Sequence, residues 1–297
     1  MNYKHITVAG CGVLGSQIAF QTAYSGFQVS VYDINDEAIA QGKKRIEGLK
    51  ERYKEDLDAS DNELEATVDR LSFHSDLKEA TKEADLVIEA VPEVLEIKQD
   101  FYRQLSEVAP EKTVFASNSS TMIPSQLIDY IDRPEKFLML HFANQIWLNN
   151  TAEVMKHERT DQAVFDEVLA FAKAIHMIPL PIYKEQPGYI LNTLLVPFLD
   201  AALYLLVKEI ADIETIDKTW MAGTGAPQGP FAILDVVGLR TAYNLVEAKA
   251  KKGDQNSKEI ATYLKENYID QGKLGVETGQ GFYQYPNPTY KEEDFLT

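Results

Sequence analysis

Residues 5–33 restrict the possible folds of this chain more than any other stretch. His5 to Ala9 is rich in β-branched residues, and Gly10-Cys11-Gly12-Val13-Leu14-Gly15 follows it directly. An apolar helical pattern then runs to Ser25, Gly26 stops it, and a second strand pattern ends in Asp33. In such a strand-turn-helix-strand unit each glycine has a task. Gly10 permits the tight turn, Gly12 lets a pyrophosphate approach the backbone, and Gly15 lets helix and strand pack closely. Val13 and Leu14 open the helix, whose N-terminal N–H groups and positive dipole end face that pyrophosphate. Asp33 lies eighteen residues past Gly15, where it can accept hydrogen bonds from the adenosine ribose. It would meet a 2′-phosphate with like charge, and neighbouring Ile34 and Asn35 bring no arginine. The stretch reads as an NAD site.

The remaining composition narrows the class. With 297 residues the chain can hold a large core and two domains. A formal charge of −17 and the lack of a basic stripe argue against a nucleic-acid partner. Cys11 is the single cysteine, so no intrachain disulfide is possible, and a reducing, cytoplasmic location is expected. At its place in the glycine loop it reads as a small buried filler. No basic n-region with an apolar h-region stands before the first strand, so no secretory signal is expected. The one membrane suspect, residues 190–207, contains Asn192, Pro197 and Asp200, so a buried helix is expected instead. No metal is expected.

Along the chain, strand patterns alternate with helical ones. A charged helical excursion covers residues 36–70, longer than a compact βαβ unit needs. Strands are expected at residues 71–74, 85–91, 113–117, 137–141, 152–155 and 177–182, and helices at 76–83, 94–108, 124–130 and 161–175. The near-continuous apolar run at 85–91 suits a parallel strand buried on both faces. The expected fold is α/β: a Rossmann-type, doubly wound, mostly parallel sheet with a helical hairpin excursion, over residues 1–185. Residues 186–297 read as an all-α domain. The stretch 190–207 is apolar nearly all round and must be covered, by a partner subunit or equally by its own domain.

Ligands in doubly wound sheets collect at the carboxyl ends of the strands. Two such ends carry reactive groups: Ser117-Asn118-Ser119-Ser120-Thr121 and His141-Phe142-Ala143-Asn144. Glu153 stands twelve residues past His141, between apolar neighbours in a strand pattern. On an adjacent strand its carboxylate would fix the imidazole tautomer and stabilise the imidazolium, as alcohol oxidation requires. The plainer alternatives are a satisfied core histidine and a solvent-facing glutamate.

These features together resemble the short-chain L-3-hydroxyacyl-CoA dehydrogenase family, which includes the 3-hydroxybutyryl-CoA dehydrogenases. The resemblance rests on Gly10 to Gly15 with Asp33, on Glu89-Ala-Val-Pro-Glu93 followed by Lys98, and on Ser117 to Ser120 with His141-Phe-x-Asn144. Pro187-Gly188-Tyr189-Ile190-Leu191-Asn192, the Gly223 to Gly238 stretch and Thr278 to Tyr283 extend it over essentially the whole chain. It implies that Ser120 bonds the substrate oxygen, His141 is the acid/base, Glu153 orients it, and Asn192 contacts the substrate carbonyl. Glu93, Lys98, Asn118 and Asn144 would touch NAD. The family fold implies a helical second domain that forms a homodimer, a CoA thioester substrate of fatty-acid metabolism, and a hairpin leaning over the CoA.

Departures from the family pattern bear on the substrate. The usual H-F-F-N-P reads His141-Phe142-Ala143-Asn144-Gln145, with Trp147 close behind; Thr193 and Glu277 replace an arginine and a lysine. On the hairpin, Lys43, Lys50 and Lys54 share one helical face and Arg45 and Arg52 a neighbouring stripe. Taken alone, that helix reads as a solvated one stitched by Glu47, Glu51 and Glu55; the resemblance favours a CoA-facing surface. A dehydrogenase of free 3-hydroxy acids on the same fold and a catalytically silent NAD-binding protein are the other readings.

Overall fold

The computed structural model describes residues 3–297. Two compact units divide the chain, the first ending at Ile190 and the second running from Leu191 to Thr297. The division falls in the first turn of a helix, a few residues past the expected boundary.

Among the described residues of the first unit, eight strands form one sheet in the order β3-β2-β1-β4-β5-β6-β7-β8. These are β1 (His5–Ala9), β2 (Gln28–Tyr32), β3 (Leu71–His74), β4 (Leu86–Glu89), β5 (Val114–Ser117), β6 (Phe137–Phe142), β7 (Thr151–Lys156) and β8 (Ile178–Ile182). Every pairing is parallel except β6 with β7. The chain order reverses between β1 and β4, so the crevice expected to take a dinucleotide opens at their carboxyl ends. Side chains alternate across the sheet. Leu86 and Ile88 of β4 enter the cluster under α1 (Val13–Tyr24) and α2 (Asp36–Leu57), while Val87 joins Phe101, Tyr102 and Phe115 on the other face. Two-sided burial explains the continuous apolar run of that strand.

The excursion is a helical hairpin. Asp58 adopts a left-handed φ of 55° and ends α2, and a Ser60–Glu63 capping box starts α3 (Asp61–Asp69). Residues 124–130 differ from expectation: they form two short 3₁₀ turns, Pro124–Gln126 and Ile128–Tyr130. Pro124 opens the first, and the segment is too short to add an i→i−4 ladder.

The second unit is helical, as expected. Helices α4 (Leu77–Thr81), α5 (Leu95–Val108) and α6 (Gln162–Ala174) precede it in the first unit. The core of the second unit gathers Leu203, Ile216, Phe231, Leu234, Leu239 and Leu264, contributed by α7 (Tyr189–Val207), α8 (Ile213–Thr224), α9 (Pro230–Val237), α10 (Leu239–Lys251) and α11 (Gln255–Leu264). Asp217 accepts from the amides of Phe231 and Ala232, and Asp235 from those of Phe282 and Tyr283. A Cβ at Gly229 or Gly281 would strike these carboxyl groups, which accounts for two glycines of the C-terminal motifs.

The helix expected at 190–207 forms, but the alternative that its own domain covers it is corrected. Only 17% of its apolar window is buried within the chain, and Leu191, Leu194, Tyr204 and Leu205 are exposed. By length and composition it could cross a membrane, yet it holds Asp200 paired with Lys249. Its own domain does not supply the cover that its composition asks for.

Candidate active site

The glycine loop is built as its sequence requires. Gly10 has a φ of 98°, and a Cβ there would lie 2.4 Å from the Ala90 carbonyl oxygen. A Cβ on Gly15 would lie 1.9 Å from the Gly10 carbonyl oxygen. At Gly12, by contrast, a Cβ would meet nothing within 4 Å, so the space above the turn is open. Gly12 also caps α1 with no side-chain hydrogen bond and no acid in the first turn. Open space over uncapped N–H groups suits an incoming pyrophosphate. Asp33 ends β2 beside this loop, one oxygen accepting from the Cys11 amide at 2.8 Å and from its thiol at 3.1 Å. The other accepts from the Ile34 amide. Cys11 is buried, as expected of a filler, and its amide and thiol also hold the Asp33 carboxylate. Burial, then Asp33, push its thiol up to about 12. These residues fit NAD.

The structure brings one cation to this loop that the local sequence did not show: Arg45 Nη1 donates to the Cys11 carbonyl at 3.2 Å. Asp33 nevertheless places a carboxylate beside the glycine loop, where a 2′-phosphate would meet like charge. Catalytic efficiency with NAD(H) is expected to exceed that with NADP(H) by about 100-fold. Steady-state kinetics with both cofactors checks this, and comparable efficiencies would refute it.

The serine turn after β5 is organised by acids from β4 and the loop beyond. Glu93 accepts from the Ser119 hydroxyl, from the Ser120 and Thr121 amides at 3.0 and 3.1 Å, and from the Thr121 hydroxyl at 2.9 Å. Burial raises its carboxyl, but these donors and Lys98 together hold it below the usual range. Lys98 lies between Glu93, at 3.2 Å, and Glu89, at 2.5 Å. Lys98 is only 1% exposed and Glu89 not at all, so Lys98 acts from beneath the site, held between two acids. The cofactor contact expected of Lys98 would have to be made from this buried position. Glu89 had no assigned role in the sequence. A buried acid at the end of an apolar strand, nine residues before a lysine, was the available signal.

Asn118 and Asn144 serve the framework as well. The Asn118 side-chain oxygen accepts from the Phe142 amide at 3.0 Å, tying the end of β6 to the serine turn. Gln17 of α1 donates to Asn144 and accepts from the Gln145 amide. Gln145 has a φ of 57°, which proline cannot adopt. That departure sets the path of the next residues, so that Trp147 donates to Asp56 of α2 at 2.8 Å and packs on Tyr53.

His141 and Glu153 face each other directly in the antiparallel β6–β7 register. His141 Nδ1 is 3.1 Å from Glu153 Oε2, and Nε2 is 3.1 Å from Ser120 Oγ. Glu153 is 5% exposed, so the solvent-facing alternative fails, whereas the imidazole keeps 13%. With the Nδ1 proton given to the carboxylate, Nε2 is an acceptor at the strand end. The chain Ser120–His141–Glu153 can therefore exchange a proton with a bound hydroxyl. Asn192 lies in the second unit, on the first turn of α7.

Glycine loop, strand-end acid and serine–histidine–glutamate chain define an NAD-dependent dehydrogenase. The family model for the 3-hydroxyacyl-CoA dehydrogenase NAD-binding domain matches residues 5–186, and that for the C-terminal domain residues 188–285. The chain belongs to the 3-hydroxyacyl-CoA dehydrogenase family. It is 34% identical to the mitochondrial hydroxyacyl-coenzyme A dehydrogenase of Homo sapiens, over 95% of this chain and 91% of that protein. A probable 3-hydroxybutyryl-CoA dehydrogenase of Bacillus subtilis is 32% identical, over 97% of this chain and 100% of that one. Among solved structures, a diketoreductase described as carrying out substrate-directed dual catalysis of dicarbonyl compounds is 55% identical. It has a TM-score of 0.92, over 96% of this chain and all of that one.

Proposed function

We propose that this protein interconverts the 3-hydroxyl of an L-3-hydroxyacyl-CoA and the corresponding ketone, with His141 as acid/base. The observation that carries the reading is the hydrogen-bonded chain from Ser120 through His141 to buried Glu153. Bound NAD supplies the hydride acceptor. In the oxidation direction His141 Nε2 takes the hydroxyl proton, Glu153 stabilises the imidazolium through Nδ1, and Ser120 donates a hydrogen bond to the substrate oxygen. In the reverse direction the imidazolium returns the proton to that oxygen. Glu93 and Asn118 hold the serine turn and the strand end in register for this exchange. The exposed apolar side chains of α7 favour a homodimer, and a single buried cysteine favours a cytoplasmic location.

A second reading concerns the substrate. Of the six cations on the long hairpin helix, five are engaged: Lys50, Arg52 and Lys54 pair with Glu47, Glu55 and Asp61, Lys43 lies over Phe73, and Arg45 holds Cys11, while Lys44 is exposed. This pairing supports the stitched, solvated helix. Such exposed pairs are worth only about 0–1 kcal/mol, so CoA phosphates could still recruit these side chains. The pairing and the 55% identical diketoreductase nevertheless favour a free dicarbonyl as the rival substrate.

NADH oxidation measured with acetoacetyl-CoA and with free acetoacetate separates the two. The first reading expects kcat/KM about 100-fold higher for the thioester, because binding energy from the CoA contributes to catalysis. Equal or better turnover of the free dicarbonyl assigns the enzyme to the second.

A further inference from the structure

The turn at residues 186–190 touches His141, Glu153 and the residue before Ser120, although none of its residues has a place in the reaction described above. Gly188 and Tyr189 both adopt left-handed backbone, with φ of 80° and 57°. A bulky residue rarely takes that conformation, and such outliers gather where a fold holds a side chain in place for function. What it holds here is the Tyr189 ring, fully buried and stacked on the His141 imidazole at 4.5 Å between centroids and 28° between planes. The phenol donates to the Ser119 carbonyl at 2.5 Å, one residue before Ser120. Burial pushes the phenol far above its ordinary range, so it remains a neutral donor. The next residue completes the grip: the Ile190 amide donates to Glu153 Oε1 at 2.9 Å, while Oε2 faces His141.

We propose that Tyr189 is a positioning residue of the reaction, its ring fixing the plane of His141 and its hydroxyl fixing the turn that carries Ser120. A residue that only filled the core could be phenylalanine. Here the oxygen is aimed at one particular carbonyl, and the ring lies flat on one particular imidazole. Stacking restrains rotation about the last torsion of the histidine when the substrate oxygen replaces Ser120 at Nε2 and only the Nδ1 contact to Glu153 remains. The two contacts together hold Nε2 and Ser120 Oγ at a common point, where the substrate oxygen must arrive. Loss of either loosens a geometry on which proton transfer depends steeply.

The inference rests on the proposed role of His141, so the test includes His141→Ala. With full-length protein and saturating NADH, Tyr189→Phe is expected to lower kcat about fivefold, the worth of one hydrogen bond. Tyr189→Leu, which also removes the stack, is expected to lower kcat about 100-fold. In both variants the dissociation constant for NADH, read by fluorescence, stays within about twofold of wild type, because Tyr189 acts through His141 and Ser120. Placed in the His141→Ala background, Tyr189→Leu should add less than about twofold. A folded Tyr189→Leu protein with wild-type kcat overturns the proposal. So does a loss that appears in NADH binding, or one that persists in full in the His141→Ala background. If Tyr189→Leu does not fold, Tyr189→Phe decides, and an unchanged kcat in that variant overturns the proposal. An active His141→Ala would instead remove the acid/base reading itself.

Discussion

His141→Ala is expected to lower kcat by about 10³–10⁴, with NADH affinity kept within about threefold. The imidazole is bound to Ser120 and Glu153 rather than to the glycine loop, so its removal affects the reacting oxygen and leaves the dinucleotide surface intact. Glu153→Gln keeps the volume and can still accept from the Ile190 amide. It turns an amide N–H₂ toward Nδ1, however, and so favours the tautomer with the proton on Nε2. A protonated Nε2 cannot accept the substrate proton, and a loss of about 10²–10³ in kcat follows. Because the two residues act as one unit, the double variant should be within about tenfold of His141→Ala. Stopped-flow and steady-state rates on the three variants check this. Losses that multiply in the double variant would show that the pair does not cooperate.

How much of this was legible beforehand depends on the kind of contact. Local chemistry was readable. The glycine spacing from Gly10 to Gly15, with Asp33 at the end of the next strand, follows from backbone geometry alone. Pairing of His141 with Glu153 could also be anticipated, since two strands joined by a short connection lie antiparallel with opposing residues in reach. Long-range packing was not readable. Whether α7 lies inside its own unit or stands uncovered depends on what packs against it, and its apolar composition is compatible with both. Lys98 carries no local sign that it is sealed between Glu89 and Glu93. The hairpin cations show the same limit, because spacing puts them on a helical face without saying what faces them. Tyr189 could be found only in three dimensions: its left-handed φ, its ring stack and its bond to Ser119 join segments far apart in sequence.

The other large effect expected is on stability, at the pair beneath the serine turn. Glu89 accepts from Lys98, from the Val91 amide at 2.9 Å and from the Ser117 hydroxyl at 2.6 Å. Burial raises its carboxyl above the usual range, and Lys98 and Ser117 pull it partly back. Lys98→Met fills the same space without the charge. It leaves a buried carboxylate with no counter-ion, which costs about 3–5 kcal/mol. For a unit of this size the loss corresponds to a fall in Tm of about 6–20 °C. The sign of the pH dependence follows from the raised carboxyl. A folded-state value above the unfolded one means that the folded form holds the proton more tightly, so stability is highest below the unfolded value and is lost as pH rises through the folded one. Removing Lys98 raises the folded value further and extends that loss to higher pH. The deficit of Lys98→Met relative to wild type should therefore be smallest in mild acid and grow toward pH 8. Adding Glu89→Gln removes the stranded charge and should restore at least half of the lost stability, with a flat pH response. Thermal melts of the single and double variants at about pH 5.5 and at about pH 8 give the answer. If Lys98→Met melts within about 2 °C of wild type at every pH, the buried pair does not hold the turn, and Glu93 organises Ser120 without it.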